Sequence, residues 1–419
     1  MYCHVHDNGN TFKGMNRPVT TAKNHKIDRQ WVIVTLASIP LIMTLGNSML
    51  IPILPLMEKE LDITKLQSSY IITIYSIVAI FLIPVAGFLS DRYGRKKVMI
   101  PALIITAIGG AVAALAAWKF ENAFLFILLG RVLQGIGASG AMPIVFPLIG
   151  DMFEREAEAS KTLGLIETSN TIGKVLSPIL GSLLASFLWF LPFVSIPIFS
   201  LISIILVLIF IKDHGNKDDE PFSFAMFRSY IKETFKEHYR WLIAIFIIGA
   251  ILMFMLFGFL FYLSTVLEEK FSYTGVIKGM LLAVPLLALS LTAYIVGRVI
   301  KDQLIVMKGI IFSGIVLAGI AIISFPLAKR PFFLLAIFFV CGIGIGAALP
   351  CLDSMITKSL KKSVRGSIVS IYSAMRFVGI AAGPLVTAFL MKQHIFWFVG
   401  LLTIFALGAS VLAFRHIDP

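Results

Sequence analysis

Charged side chains inside long apolar stretches are the part of this sequence that could do chemistry. Away from the ends of those stretches there are three cations and two carboxylates, namely Arg131, Glu167, Lys174, Asp353 and Arg376. An ionised group in a hydrocarbon environment is costly, so such residues face other protein groups or water and mark paths for ions and polar solutes. A carboxylate in this setting can take up and release a proton, and a cation can bind an anionic group.

The two carboxylates are candidates for carrying protons. Glu167 and Lys174 are seven residues apart, so they lie on one face of a helix and can interact through an intervening contact or water. We take Glu167 as the first candidate and Asp353 as the second. Asp353 lies near one end of its apolar stretch, where the alternative is a carboxylate that is simply hydrated.

Lys174 and Arg376 give this path an excess of positive charge, because three cations accompany two acids. That balance favours substrates with an anionic group, such as siderophores or anionic lipids, over simple lipophilic cations. The alternative is that a carboxylate neutralises each cation and the pair only locks the helices together. Polar and aromatic side chains in the same stretches could also line the path, and we single out Asn47, Gln134 and Tyr372.

The elements that carry these residues are predicted to span a membrane. Hydrophobic residues make up 58% of the 419 residues and charged residues 14%, and mean hydropathy is +0.92. These values exclude an ordinary soluble enzyme, a disordered chain and a collagen-like chain. We predict an all-α membrane protein with about twelve transmembrane helices. The approximate spans are 31–56, 67–90, 98–118, 122–150, 160–184, 187–211, 240–267, 275–300, 304–327, 332–357, 365–391 and 394–414.

One long polar segment divides the spans six and six. The predicted domains are an N-terminal tail, a six-helix bundle, a middle loop, a second six-helix bundle and a short C-terminus: 1–30, 31–211, 212–239, 240–414 and 415–419. A Pro-containing turn near Ser186–Pro192 separates the fifth and sixth spans. The amphipathic stretch Phe222–Tyr239 is typical of a helix that lies on the membrane surface within a flexible linker.

The two halves repeat each other at a separation of 206–210 residues. The matching segments are Ala141–Pro143 with Ala348–Pro350, Gly173 and Ser177–Pro178 with Gly379 and Gly383–Pro384, and Gly87 with Gly297. Internal duplication of this kind is how alternating-access transporters are built, with the substrate path between the halves. We therefore expect two pseudo-symmetric bundles around a central path.

The distribution of Lys and Arg predicts the orientation of the chain. With both termini on one side, that side carries 25 of these residues and the opposite side carries 8, Lys278 included. Because Lys and Arg accumulate in cytoplasmic loops, both termini are expected in the cytoplasm of a bacterial cell, with the protein in its plasma membrane. The same rule accounts for the net charge of +13, so nucleic-acid binding is not implied. The polar tail gives no signal peptide, and translation could start at Met1 or Met15.

The strongest local motif is the segment from Gly87 to Lys97, GFLSDRYGRKK. Its glycines permit a tight turn and close helix approach, and Asp91 can interact with a helix N-terminus across the interface between the halves. The segment resembles the signature loop of the major facilitator superfamily. The resemblance implies that the loop controls opening and closing, with Gly87, Asp91, Arg92, Gly94 and Arg95 as its main residues.

Further motifs resemble the twelve-span drug:proton antiporters of the same superfamily. Arg131-Val132-Leu133-Gln134-Gly135 is similar to their R-x-x-Q-G motif, which implies that Arg131 takes part in proton transfer. The alternative is an Arg that braces two helices by bonding to backbone carbonyls. The fifth span resembles the exporter motif G-x8-G-x3-G-P-x2-G-G, with serine in two of the glycine places. The matching residues are Gly164, Gly173, Ser177, Pro178 and Gly181.

The resemblance implies proton-coupled export of amphiphilic organic compounds or drugs. The alternative is a dedicated exporter of a siderophore or another anionic metabolite, and a lipid flippase or a non-transporting receptor is a more distant one. We expect a small-molecule substrate, protons and membrane lipids as partners, and a monomer. The sequence has no phosphate-binding loop, hydrolytic triad or zinc spacing, so we expect neither a cofactor nor an enzyme. Cys3, His4 and His6 on the tail do not amount to a metal site.

Overall fold

The computed structural model describes residues 21–153, 156–211, 224–300, 303–325, 328, 330–360, 362–393 and 395–417. Most of the predicted tail and the first half of the middle loop lie outside these residues. The side chains of Cys3, His4 and His6 are therefore also outside the described part.

The described residues form helices, and no strand occurs among them. The first half contains α1 (Thr21–Ser48), a 3-10 turn (Ile51–Ile53), α2 (Leu54–Glu60), α3 (Lys65–Tyr93), α4 (Arg95–Lys119), α5 (Ala123–Met152), α6 (Glu156–Phe187) and α7 (Leu191–Phe210). The second half contains α8 (Phe224–Glu269), α9 (Gly275–Val299), α10 (Leu304–Ile323), α11 (Pro331–Ser359), α12 (Lys362–Met391) and α13 (Ile395–His416). The predicted all-α membrane fold is confirmed.

Eleven spans of the described chain are long and apolar enough to cross a membrane, the first of them made of α1, the 3-10 turn and α2. The remaining long helix is α6, which contains Glu167, Asn170 and Lys174 and is correspondingly less apolar. α6 ends at Phe187 and α7 begins at Leu191, so the predicted division of this region into two helices is confirmed.

Two bundles meet along two pairs of helices. α1 and α3 to α7 pack mainly on one another, as do α8 to α13, and the largest contacts between the halves are α3 with α12 and α6 with α9. In span numbers these are the second with the eleventh and the fifth with the eighth. Exchanging the two halves turns one pair into the other, which is the relation that an internal duplication produces.

The central part of the molecule departs from the prediction at α8. This helix runs without interruption for 46 residues, or about 69 Å at 1.5 Å per residue, more than twice the ~30 Å hydrocarbon core. The stretch predicted as a separate surface helix is the first part of α8. No Gly or Pro occurs between Phe224 and Tyr239, so nothing in the sequence interrupts the backbone hydrogen bonds there.

Candidate functional site

The predicted control loop forms a compact ion cluster at one end of the bundle, called here the Gly94 end. Gly94 joins α3 to α4 with a backbone φ of 102°, a conformation that L side chains rarely adopt. Arg95 forms an ion pair with Asp91, reaches Asp151 at the end of α5 with its Nε at 3.0 Å, and donates to the Ser90 hydroxyl at 2.8 Å. The loop thus ties α3, α4 and α5 together within the first bundle.

Two other residues of this loop contact neighbouring helices. Lys96 donates to the carbonyl of Ile211 at 2.6 Å and so supplies a cation at the C-terminus of α7. Gly87 lies against α12, where an added Cβ would be 3.3 Å from the Ser370 hydroxyl. The guanidinium of Arg92 lies over the ring of Tyr93 at 5.5 Å. The partner that we predict for Asp91 across the interface stays a prediction.

Arg131 is fully buried and holds three helices of the first bundle together. It donates to the carbonyl of Ile71 on α3 at 2.7 Å, to Asn47 Oδ1 on α1 at 2.6 Å and to Gln134 Oε1 at 2.5 Å. It also lies 3.5 Å from the carbonyl of Gly46, near the C-terminal end of α1, and 4.5 Å from the ring centroid of Tyr75. This is the geometry of a brace, and among the described residues no carboxylate bonds to it.

Glu167 belongs to a hydrogen-bonded chain that starts on α1. The hydroxyl of Thr44 donates to Asn170 Oδ1 at 2.5 Å, and Asn170 Nδ2 donates to Glu167 Oε1 at 3.2 Å. Thr44 and Asn47 are one helical turn apart on α1. One helix therefore carries both the hydrogen bond to Arg131 and the hydrogen bond that leads to Glu167.

The four other charged residues predicted from the sequence come together between the bundles. Arg376 Nη1 on α12 lies 3.3 Å from Asp353 Oδ1 on α11. Glu167 and Lys174, from the other bundle, are close enough to interact electrostatically with this pair and with each other. The side chain of Asp353 is 36% exposed, so the structure supports the hydrated position for this carboxylate.

Lys174 differs from Arg376 because no hydrogen bond joins its ammonium to another described residue. Its side chain lines a cavity of about 20 Å³ between α1, α6, α8 and α9, together with Ser48, Ser177 and Phe257. That volume is enough for about one water molecule. Lys174 is thus available to a ligand that enters the cleft, whereas Arg376 already contacts Asp353.

Two buried polar groups lie near the charges. The Nε2 amide of Gln134 has no hydrogen-bond partner among the described residues, and the hydroxyl of Tyr372 interacts with Asp353 and Arg376. Tyr372 packs on Gly249 of α8, and its ring stacks with that of Phe246 at 6.3 Å. The guanidinium of Arg376 lies 5.6 Å from the centroid of the Tyr372 ring. Since a buried polar group without a partner costs free energy, the Gln134 amide is a candidate for bonding to water or substrate.

The exporter motif on α6 combines close helix packing with a proline whose missing backbone hydrogen bond is replaced by a side chain. Pro178 has no N–H to bond the carbonyl of Lys174, and the hydroxyl of Ser177 donates to that carbonyl at 3.0 Å instead. At Gly181 an added Cβ would lie 2.1 Å from the carbonyl oxygen of Met49, and at Gly173 it would lie 3.2 Å from Leu41. Gly164, the first residue of the motif, has no neighbour within 4 Å of an added Cβ.

This difference predicts opposite outcomes for two substitutions in the same motif. Gly181→Ala is expected to prevent close packing of α6 on α1 and to destabilise the protein by about 1–3 kcal/mol, the usual cost of overpacking. Gly164→Ala removes a glycine from an exposed helical position and is expected to be neutral or stabilising. Thermal unfolding of both purified variants in one detergent measures this. Equal loss of stability in the two variants would contradict it.

Sequence reasoning missed several residues of this region. Thr44 and Asn170 were not selected, although a Thr and an Asn inside apolar helices are a weak signal of buried polar contacts. The charge count includes Lys278 with the loops on the side opposite the termini, but Lys278 lies inside α9 and is only 2% exposed. Glu268, at the end of α8, is 9% exposed and bonds to it. Their closeness to the ends of the predicted spans concealed them.

Comparison with known proteins decides the family. Residues 36–328 and 307–419 match the model of the Major Facilitator Superfamily. The chain belongs to the Major Facilitator Superfamily. The resemblance predicted from the loop and helix motifs is therefore confirmed, and the cleft between the bundles is that of a multi-span membrane transporter of small molecules.

Among its relatives, the bacillibactin exporter of Bacillus subtilis is 50% identical over 374 residues, which is 89% of this chain and 92% of the relative. Multidrug resistance protein 2 of Bacillus subtilis is 25% identical over 59% of this chain and 61% of the relative. A solved structure of a bacterial homologue of the human lysosomal transporter Spinster, inward-facing and occupied, has a TM-score of 0.71 and 15% identity over 92% of this chain and 96% of that chain. That last similarity concerns the fold alone.

Proposed function

We propose that this protein exports a siderophore of the bacillibactin kind, an acidic aromatic metabolite, and couples export to inward movement of protons. The observation that carries the proposal is the meeting of Lys174 and Arg376 with Glu167 and Asp353 between the two bundles. The relative that is 50% identical over most of the chain supports the siderophore over the broader drug substrate, since the drug-resistance relative matches at 25% over a shorter region.

The chemistry of the cleft suits such a substrate. A siderophore with acidic hydroxyl or carboxyl groups needs cations and hydrogen-bond donors, and its aromatic rings need flat apolar neighbours. Lys174, which lines the small cavity, supplies the cation, and the Tyr372 hydroxyl beside Asp353 and Arg376 supplies a hydrogen-bond donor. The rings of Phe246 and Tyr372 supply the flat apolar neighbours for the aromatic rings of the substrate. Two cations and two carboxylates meet here, and the preference for an acidic substrate rests on Lys174, because Arg376 already contacts Asp353.

The charge distribution supports an orientation in which the Gly94 end and both termini face the cytoplasm. The bundles then meet tightly at the opposite, external end, here called the Asp62 end after the residue that joins α2 to α3. There Ser264 of α8 donates to the carbonyl of Ile51 at 3.0 Å, and Gly279 of α9 lies against the carbonyl of Pro178. These contacts support an inward-facing conformation that takes substrate from the cytoplasm.

Protons supply the driving force in this proposal. Each elementary charge that enters the cell across 100 mV releases about 2.3 kcal/mol. Glu167 is the carboxylate that we assign to proton uptake, because it lies at the interface beside Lys174 and is hydrogen-bonded through Asn170 to α1. We further propose that the protein works as a monomer surrounded by membrane lipids in the plasma membrane.

Reconstitution with two substrate classes tests the proposal. In proteoliposomes with an imposed pH gradient, we expect vectorial transport of bacillibactin and little transport of a cationic dye such as ethidium. Lys174→Met is expected to raise KM for the siderophore about tenfold, because an ionic contact of about 1.4 kcal/mol is lost. The variant keeps the length of the side chain, and dye transport should not fall. Concentration-dependent initial rates measure both.

Three results would overturn the proposal. Rapid dye transport that is unaffected by Lys174→Met would indicate multidrug efflux. Movement of labelled phospholipid without a pH gradient would indicate a flippase. Siderophore transport that persists when both the pH gradient and the membrane potential are collapsed would exclude proton coupling.

A further inference from the structure

A buried cluster of three charges joins the two bundles at the Asp62 end. Glu268, the penultimate residue of α8, accepts from Lys59 of α2 with Oε1 at 2.7 Å and from Lys278 of α9 with Oε2 at 2.7 Å. Lys59 belongs to the first bundle, and Glu268 and Lys278 belong to the second. One carboxylate thus makes one bond within its own bundle and one bond across the interface.

The two lysines differ sharply in burial. The side chain of Lys278 is 2% exposed and that of Glu268 is 6% exposed, whereas that of Lys59 is 66% exposed. In this conformation Lys278 needs Glu268, because a buried ammonium without a partner is strongly destabilising. Lys59 is already largely in water, so it can leave Glu268 without burying its own charge. Of the two bonds, the one between Glu268 and Lys59 is therefore the one that can break.

Further contacts close the interface between the two bundles at the Asp62 end. Lys65 at the start of α3 pairs with Glu269 at 2.6 Å, with both side chains partly exposed, and Glu58 of α2 accepts from the Ser68 hydroxyl at 2.6 Å. Pro55 has no N–H to donate to the carbonyl of Ile51, and that carbonyl accepts from Ser264 of α8. Opening the external side requires all contacts between the bundles here to separate.

We propose that Lys59 and Glu268 form the external gate of the transport cycle, with Lys278 as its fixed counter-charge. The bond between Lys59 and Glu268 holds the bundles together while the cleft is open to the cytoplasm. When the external side opens, Lys59 moves into water with its own bundle, and Lys278 still neutralises the carboxylate that stays behind. The inference rests on the proposed orientation and on alternating access between the two bundles. It assigns these three residues a role that none of the motifs contains.

Distance measurements between the two bundles at the Asp62 end test the gate. Spin labels at Glu60→Cys and Thr274→Cys, both exposed positions, report the separation of α2 from α9 in a background with Cys3, Cys341 and Cys351 replaced by serine. In full-length protein without substrate, Lys59→Met is expected to raise the ratio of externally open to closed molecules about tenfold. Lys59→Arg should restore the closed distribution, because Arg can still bond to Glu268.

Lys65→Met is the matched control, since it removes the same charge from the same end. Its carboxylate partner Glu269 is 45% exposed, whereas Glu268, the partner of Lys59, is 6% exposed, so a change of less than about threefold is expected. The gate is refuted if Lys59→Met leaves the distance distribution unchanged, or if Lys65→Met shifts it as much. A folded Lys59→Met variant is recognised by an unchanged thermal unfolding temperature. Because no substrate is present, failure to transport a siderophore would leave this result intact and would refute only the proposed substrate.

Discussion

Glu167→Gln is expected to abolish gradient-driven export while leaving exchange of substrate across the membrane intact. Gln cannot take up a proton, so the variant stays in the electrically neutral form that a protonated Glu167 would have. Loss of the coupled reaction with retained exchange is the result expected of a residue that carries the proton and not the substrate. Proteoliposomes loaded with siderophore measure both activities, with a pH gradient for the first and equal pH for the second.

The structure makes this substitution a mild one for folding. Gln has nearly the same shape as Glu. Its carbonyl oxygen can still accept from Asn170 Nδ2, which lies 3.2 Å from Glu167 Oε1 in the unmodified protein. Asn170 keeps its hydrogen bond from Thr44. A large loss of folded protein would therefore not be expected, and the transport defect can be assigned to the missing proton.

Asp353→Asn is the matched control, because it neutralises the other carboxylate of the cleft. Asp353 is partly exposed and its contact with Arg376 is 3.3 Å, so its removal should cost at most about 1 kcal/mol, or roughly a fivefold change in rate. Coupling should survive. If coupling were lost in Asp353→Asn and kept in Glu167→Gln, the roles that we assign to the two carboxylates would be reversed.

The fold could be predicted because its determinants are local. Apolar stretches of bilayer length predicted the helices, and the turn near Ser186–Pro192 predicted the end of α6 at Phe187. The motif around Gly94 predicted a tight turn, which the structure places between α3 and α4 with a positive φ. Each of these signals lies within about 25 consecutive residues, where composition and spacing are informative without knowledge of the partner helix.

The partners of the site residues could not be predicted in the same way. Lys59 and Glu268 are 209 residues apart, and Thr44 and Asn170 are 126 apart. A single sequence contains no signal that joins two such positions, since the contact depends on how the bundles dock. The burial of Lys278 could not be predicted for a related reason: hydropathy places it at the end of a span, whereas the folded protein buries it beside Glu268 of α8.

The position of Arg131 separates its two possible roles. Its hydrogen-bond acceptors are two carbonyl oxygens and two side-chain amide oxygens, and none of them is a carboxylate. Any influence on protons must therefore pass through α1, where Asn47 is one turn from Thr44, or through Tyr75, whose ring lies 6.2 Å from that of Phe377 next to Arg376. The brace and the proposed proton path are adjacent but do not share a residue.

Arg131→Lys is therefore expected to slow export about tenfold or more without uncoupling it. Lysine keeps the charge but has a single nitrogen, which cannot reach acceptors on α1, α3 and α5 at once. Losing one hydrogen bond of a charged group costs about 1.5–3 kcal/mol, which is enough for that change in rate. The number of protons per siderophore, measured from paired flux and pH records, should equal that of the unmodified protein. A changed ratio of protons to siderophore would mean that Arg131 takes part in proton transfer directly. An unchanged export rate would mean that the four contacts of its guanidinium are dispensable for the movement of α1 against α3.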